Sequence, residues 1–253
     1  MTLRRRHRQA RESALGHARL HALRSDRCVV ADRAEYRPMS AVELFGLERS
    51  VYTRIARLAL EEKGVAYSLH EVEIFGASGV PPEHRRRHPF GRIPVLRHGD
   101  FSLYETAAIT RYVDEAFPGP SFQPGTLALR ARANQVVGLL DSYAYRPMVW
   151  GVFVERMRAP TSGRAPNEAK IAEALEAARS CLIALDDLVR CAPFLLGPQV
   201  TLADLHALPM LRYFSLAPEG QDALARHSAL LDWMNMMCLR PSVQRTMSQY
   251  ERP

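Results

Sequence analysis

The stretch from Pro89 to Tyr112, PFGRIPVLRHGDFSLYETAAITRY, constrains the fold more than any other part of the chain. Two short apolar runs, Ile93–Leu96 and Phe101–Tyr104, flank a turn at His98-Gly99-Asp100, which is the pattern of a β-hairpin. Ile109, Tyr112, Val113 and Ala116 then recur at helical spacing until Pro118-Gly119-Pro120 stops the run. A proline at the start of a strand and an acid–hydroxyl pair, Glu105-Thr106, at the mouth of a helix predict a small-ligand site.

Around this segment the organisation reads clearly. Ala41–Phe45 is a short apolar strand ending at Gly46. A helix is predicted from Ser50 to Lys63, with Val51, Ile55, Leu58 and Ala59 on one face and Gly64 just past its end. Tyr67–Ile74 reads as a second strand, Phe75–Pro82 as a loop, and Glu83–Arg87 as a short basic helix. The order βαβ–α–ββα is that of an α/β thioredoxin-like domain over residues 39–118, here without a CxxC redox pair. After a linker, 119–126, the remainder (127–253) reads as all-helical. A long helix, Leu127–Arg158, is expected to kink at Pro147, which cannot donate to the ladder. A second helix carries Ile171, Leu175, Ala178, Leu182, Leu185 and Val189 on one stripe. A third opens on a capping box, Thr201 with Asp204, stapled by Val200 and Leu205, and shorter helices follow to about Gln249.

Charge separates the chain into two parts. The net charge is +7, and ten arginines against four acids place +6 of it in residues 1–38, so the other 215 residues carry only +1. A basic nucleic-acid-binding face on the fold is therefore not expected. The first 38 residues show no sustained apolar face and read as a basic, unpacked extension. No apolar run reaches the roughly 18 residues that span a membrane. Cys28, Cys181, Cys191 and Cys238 form no metal-ligand cluster with histidine, and scattered thiols of this kind suit a reducing, cytoplasmic compartment. Lysine occurs only at Lys63 and Lys170, which points to a GC-rich, bacterial genome.

The segment PFGRIPVL, the following Glu105-Thr106 pair, and the serine at the turn after the first strand together resemble the glutathione site of soluble glutathione S-transferases. The resemblance spans roughly residues 41–250. It implies a thioredoxin-like N-terminal domain, an all-α C-terminal domain, glutathione as co-substrate, no metal, an electrophilic and largely apolar second substrate, and a homodimer. Another glutathione-dependent enzyme on the same fold, or a non-catalytic glutathione-binding protein, would share these motifs. By this resemblance Pro94 forms a cis bond with Ile93, so the Ile93 backbone pairs with the peptide substrate. Glu105 holds the γ-glutamyl amine, Thr106 with the helix N–H groups holds its α-carboxylate, and Arg92 contacts the peptide backbone. One basic residue of His84–His88 would receive the glycine carboxylate.

A glutathione thiol is mostly protonated at neutral pH, with a pKa near 8.5, so a transferase has to stabilise the thiolate with a donor and a positive potential. Ser50 falls at a helix start, where hydroxyl and dipole both favour an anion. The phi- and theta-like transferases carry a catalytic serine at this turn with an arginine four residues on, which matches Ser50 and Arg54. Tyr52 is the alternative, since other classes use a tyrosine in this region. For the electrophile, Tyr143, Tyr145, Met148, Trp150, Met210 and Phe214 are candidates, of which two are expected to line a pocket and the rest to be core.

Overall fold

The computed structural model describes residues 40–188 and 193–252. The expectation of an unpacked extension over residues 1–38 lies outside the described residues. Strand β1 (Val42–Gly46) runs into helix α1 (Val51–Glu62), which returns the chain to β2 (Ser68–Glu71), parallel to β1. Helix α2 (Pro82–Arg87) leads to the hairpin of β3 (Val95–His98) and β4 (Phe101–Tyr104), and α3 (Thr106–Ala116) follows. The sheet order is β2-β1-β3-β4, with β3 antiparallel to both β1 and β4, as in a thioredoxin-like domain. Strand β2 is shorter than the expected Tyr67–Ile74 because β1 ends at Gly46. The Val72 N–H makes the last bond, to the Gly46 carbonyl (3.0 Å), and beyond it the strand has no partner.

Two local features fix where α1 starts. Ser50, in extended backbone, caps the helix by accepting from the Thr53 N–H. Gly46 sits directly beneath: a Cβ there would lie 2.4 Å from Thr53 Oγ1, so the strand-to-helix turn closes only around a residue with no side chain. At the other end Gly64 takes φ +65°, the left-handed conformation expected just past a helix. The predicted face of Val51, Ile55, Leu58 and Ala59 is buried throughout.

The segment after α3 is pinned down. Phe122 is buried, its N–H donates to Asp114 Oδ1 (2.8 Å), and the Lys63 ammonium both pairs with Asp114 (2.9 Å) and lies over the Phe122 ring (4.8 Å). Helix α4 starts at Leu127–Leu139, capped by Thr126. Its ladder then widens, through Leu140–Ala144 and Arg146–Arg158, to bonds five residues apart: Tyr145 N–H to the Leu140 carbonyl, and Ala159 N–H to the Val154 carbonyl (2.9 Å). The expected kink at Pro147 is thus replaced by a wider turn. Pro147 has no N–H and its ring crowds the carbonyl four residues back, and widening the helix accommodates both defects.

Helices α5 (Glu168–Leu188), α6 (Leu202–Ser215), α7 (Pro218–Leu224), α8 (Ser228–Cys238) and α9 (Pro241–Arg245) complete the described fold. Helix α6 is buried on nearly every side and packs against both α1 and α4. One hydrophobic core runs from Leu44 and Ile55 through Phe122 to Phe214 and Met237, so the sheet domain and the helical domain share it. A buried polar contact, Thr110 Oγ1 to His206 Nε2 (3.2 Å), crosses the same junction.

The capping box expected at Thr201 is built more heavily than the sequence implies. Asp204 Oδ2 accepts from the Thr201 N–H and hydroxyl (2.8 Å each), while Oδ1 accepts from the Leu195 N–H and the Trp233 indole N–H (2.8 Å each). This carboxylate ties together the loop before α6, its first turn and α8.

Candidate active site

Ser50 stands where the end of β1, the start of α1 and the C-terminal helices converge. The turn is closed by Ser50 N–H to the Leu47 carbonyl (3.0 Å) and Arg54 N–H to the Ser50 carbonyl (2.9 Å). From α6, the Tyr213 hydroxyl donates to the Arg49 carbonyl (2.8 Å), which locks the residue before Ser50 to the helical domain. The capping bond uses a lone pair of the Ser50 hydroxyl and leaves its proton uncommitted, so one side chain can cap the helix and still donate to a ligand.

Ser50 opens onto a cleft of about 240 Å³. One wall is the widened part of α4, which presents Tyr145, Val149, Trp150, Phe153, Val154 and Arg158. Their spacing of four to five residues per turn follows the wider helix. Phe75 closes one side against Trp150 (ring centroids 5.8 Å apart), and Tyr213 and Tyr250 contribute from α6 and the C-terminal segment. Of the six residues proposed for the electrophile, Tyr145 and Trp150 line this cleft. Met148, Met210 and Phe214 are core, and Tyr143 faces solvent. Phe153, Tyr213, Tyr250, Arg158 and Arg164 lie beyond the reach of sequence reasoning, because they meet Ser50 only through the fold.

Tyr52 does not line the cleft. It packs against Tyr145 (4.5 Å between ring centroids), and burial together with the adjoining Asp141 carboxylate holds its phenol far above the usual range. Burial pushes the Asp141 acid up to about 6, the nearby Tyr52 hydroxyl opposes this, and the charge of Glu105 adds to it. Arg92 acts on Tyr52 and Tyr145 in the opposite sense to Asp141. Of the sequence-derived candidates, Ser50 lines the cleft, while Arg92 and Glu105 do not and reach Tyr52 and Asp141 only through their charge. Arg54 is fully buried and ion-paired with Glu251, so it anchors the C-terminal segment beneath the turn instead of facing the cleft.

The Ile93–Pro94 bond is cis, and both residues are buried at the entry to β3. Glu105 holds φ +70° at the mouth of α3, the only non-glycine residue in the left-handed region among the described residues. Such a backbone costs about 1–3 kcal/mol, persists only where the surrounding structure holds it, and is concentrated at ligand sites. Thr106 beside it is buried, in the first turn of α3. In the basic run, both histidines turn inward: His84 Nε2 bonds the Arg92 carbonyl (2.7 Å), and His88 packs against Tyr104 (4.6 Å). Burial lowers the His88 pKa, against the raising effect of Glu105. Arg85 and Arg86 are exposed, and Arg87 lies 4.4 Å over the Phe45 ring. Among the described residues, no group of three or more His, Cys, Asp or Glu side chains is arranged to hold a metal ion.

Residues 44–121 match the family of the glutathione S-transferase N-terminal domain and residues 168–235 that of the C-terminal domain. Glutathione S-transferase 4 of Zea mays is 30% identical over 211 residues, covering 81% of this chain and 91% of its own length. The chain belongs to the glutathione S-transferase family. Glutathione S-transferase 1 of Triticum aestivum is 28% identical over 220 residues, covering 82% of this chain and 93% of its own. Among solved structures, glutathione transferase F7 of Populus trichocarpa superposes with a TM-score of 0.71 at 26% identity, covering 81% of this chain and 97% of its own. These relatives come from plants. The transferase fold expected from sequence, a thioredoxin-like domain followed by a helical domain, is the one observed.

Proposed function

We propose that this transferase conjugates glutathione to a small electrophile held in the Ser50 cleft, with Ser50 as the group that stabilises the thiolate. The observation that carries the reading is the Ser50 hydroxyl itself: it caps α1 through a lone pair, keeps its proton, and opens onto an aromatic cleft. Its O–H donates to the glutathione sulfur and the α1 N-terminus supplies positive potential, so the bound thiol ionises more readily. The thiolate then attacks the electrophilic carbon, the new S–C bond forms, and the leaving group departs with its bonding pair. Glu105 receives the γ-glutamyl amine, Thr106 and the α3 N–H groups receive the α-carboxylate, the Ile93 backbone pairs with the cysteinyl unit beside Pro94, and Arg92 holds the peptide from outside. With both histidines of the basic run turned inward, the glycine carboxylate goes to Arg85, Arg86 or Arg87.

A homodimer is part of this proposal, supported by aromatic surface at the hairpin edge: Phe90 is 70% exposed, Phe101 38% and Tyr104 36%. A cytoplasmic setting is supported by two unpaired thiols, Cys181 and Cys238. We read the source as bacterial on the two lysines alone, although the relatives named above are from plants.

The direct test incubates the purified protein with glutathione and chlorodinitrobenzene and follows thioether formation and chloride release. Turnover above the uncatalysed rate is expected. Retention on immobilised glutathione with no turnover of any electrophile would mean the fold serves only to bind.

A further inference from the structure

The Ser50 cleft has a chemical bias that the family resemblance does not imply. Three of its lining residues are arginines, Arg49, Arg158 and Arg164, and none is an acid. Two of these cations are already engaged: Arg49 pairs with Glu73, and Arg164 shares the Glu155 carboxylate (2.7 Å) with Lys170. Arg158 makes no ion pair among the described residues. Its guanidinium lies 5.5 Å from the Tyr250 ring centroid, where it is half-buried at the end of the widened helix. The rest of the lining is mostly apolar, with Trp150, Phe153, Tyr213 and Tyr250 as its aromatic walls and Val149, Val154 and Ala159 between them.

Resting on the transferase reading, we propose that the cleft selects aromatic electrophiles that carry a carboxylate, with Arg158 as the residue that binds the anion. The warrant is the combination of an uncommitted cation, a partly desolvated position and flat walls. A guanidinium binds a carboxylate through two parallel N–H bonds, and its cation–π contact with Tyr250 favours this position. The aromatic walls accept a ring by offset or edge contact. At about 240 Å³ the cleft falls below the roughly 300–1,000 Å³ of drug-sized ligand sites, which fits a single substituted ring. The expected second substrate is thus amphiphilic: an aryl carboxylate whose reacting carbon faces Ser50. This narrows the largely apolar electrophile expected from sequence to one that also carries a carboxylate.

The test compares chlorodinitrobenzene with chlorodinitrobenzoate, which differ by the carboxylate, in the full-length protein and in Arg158→Gln and Arg158→Lys. The readout is the ratio of kcat/KM for the acid over the neutral compound. The ratio is expected to exceed one, to fall about tenfold or more in Arg158→Gln, to fall less in Arg158→Lys, and to shrink with added salt. A ratio that the Arg158→Gln change leaves intact overturns the proposal. If neither compound is turned over, the transferase reading fails, and binding decides the anion site separately. Nitrobenzoate, which does not react, should then quench tryptophan fluorescence at lower concentration than nitrobenzene, and Arg158→Gln should abolish the difference. Equal binding of the two probes to the unmodified protein overturns the site.

Discussion

Ser50 at the start of α1 and Thr201 at the start of α6 are both hydroxyl N-caps in extended backbone, with φ −81°, ψ 128° and φ −124°, ψ 173°. Around Thr201 everything is buried and used: its hydroxyl donates to Asp204, and the carboxylate also takes the Leu195, Thr201 and Trp233 N–H groups. Around Ser50 one backbone N–H is capped and the proton of the hydroxyl is left over at the wall of a cleft. The same local chemistry therefore does two jobs. Where the cap is sealed, its bonds go to holding the helical domain together. Where it is open, the residual donor is free for a ligand.

The largest effect expected from this contrast is on stability. Asp204→Ala strips the acceptors from three buried N–H groups, at about 1–3 kcal/mol for each group left unmade, so a loss of about 4 kcal/mol is expected. Denaturant unfolding measures it, and glutathione affinity of the folded fraction should not move. A loss near the ordinary capping value of about 1 kcal/mol would mean the two caps are alike after all.

The buried Thr110–His206 contact between the domains carries a pH signature. Burial lowers the His206 pKa to about 3, so the unfolded chain takes up its proton first. The stability this neutral histidine contributes is complete above pH 6.5 and is lost as pH falls towards 3. By pH 5 that amounts to about 2 kcal/mol, at roughly 1.4 kcal/mol per unit. Unfolding of His206→Asn against the unmodified protein between pH 7 and 5 should show a flatter acid limb. Parallel limbs would place the acid sensitivity elsewhere.

What was legible in the sequence was local. The Ser50 cap, Gly64, the hairpin turn at Gly99 and the Thr201–Asp204 spacing are each decided by neighbours within a few residues, and each stands in the structure. Pro147 announced a break in the long helix but not its form, because whether a helix kinks or widens depends on what packs against it. Tyr145 and Trp150 could not be told from Met148 for the same reason: on a widened turn the exposed stripe shifts by a residue. Tyr213, Tyr250 and Arg158 were invisible as site residues, since the Tyr213 bond to Arg49 spans 164 positions. Nor did the four-residue spacing reveal that Arg54 serves Glu251 and not the cleft.

Gly46 sharpens the contrast from the Ser50 side. An alanine there would press on Thr53, and overpacking of this kind costs about 1–3 kcal/mol. Because the shift falls on the turn that carries Ser50, Gly46→Ala is expected to lower kcat at neutral pH by more than its stability loss accounts for. Assays at a temperature where the variant is fully folded check this, and unchanged kcat there would uncouple the turn from catalysis.

In the proposed reaction the uncommitted Ser50 proton stabilises the thiolate of bound glutathione. Titrating that thiol by its ultraviolet thiolate absorbance, in the unmodified protein, in Ser50→Ala and in Tyr52→Phe, tests it directly. Ser50→Ala should raise the bound thiol's pKa by about one unit, or about 1.4 kcal/mol, with kcat partly recovered at alkaline pH and glutathione affinity little changed. Tyr52→Phe should leave the thiol pKa where it was, because Tyr52 packs against Tyr145 and does not line the cleft. An unshifted pKa in Ser50→Ala together with a raised one in Tyr52→Phe would contradict the account and move the donor to Tyr52.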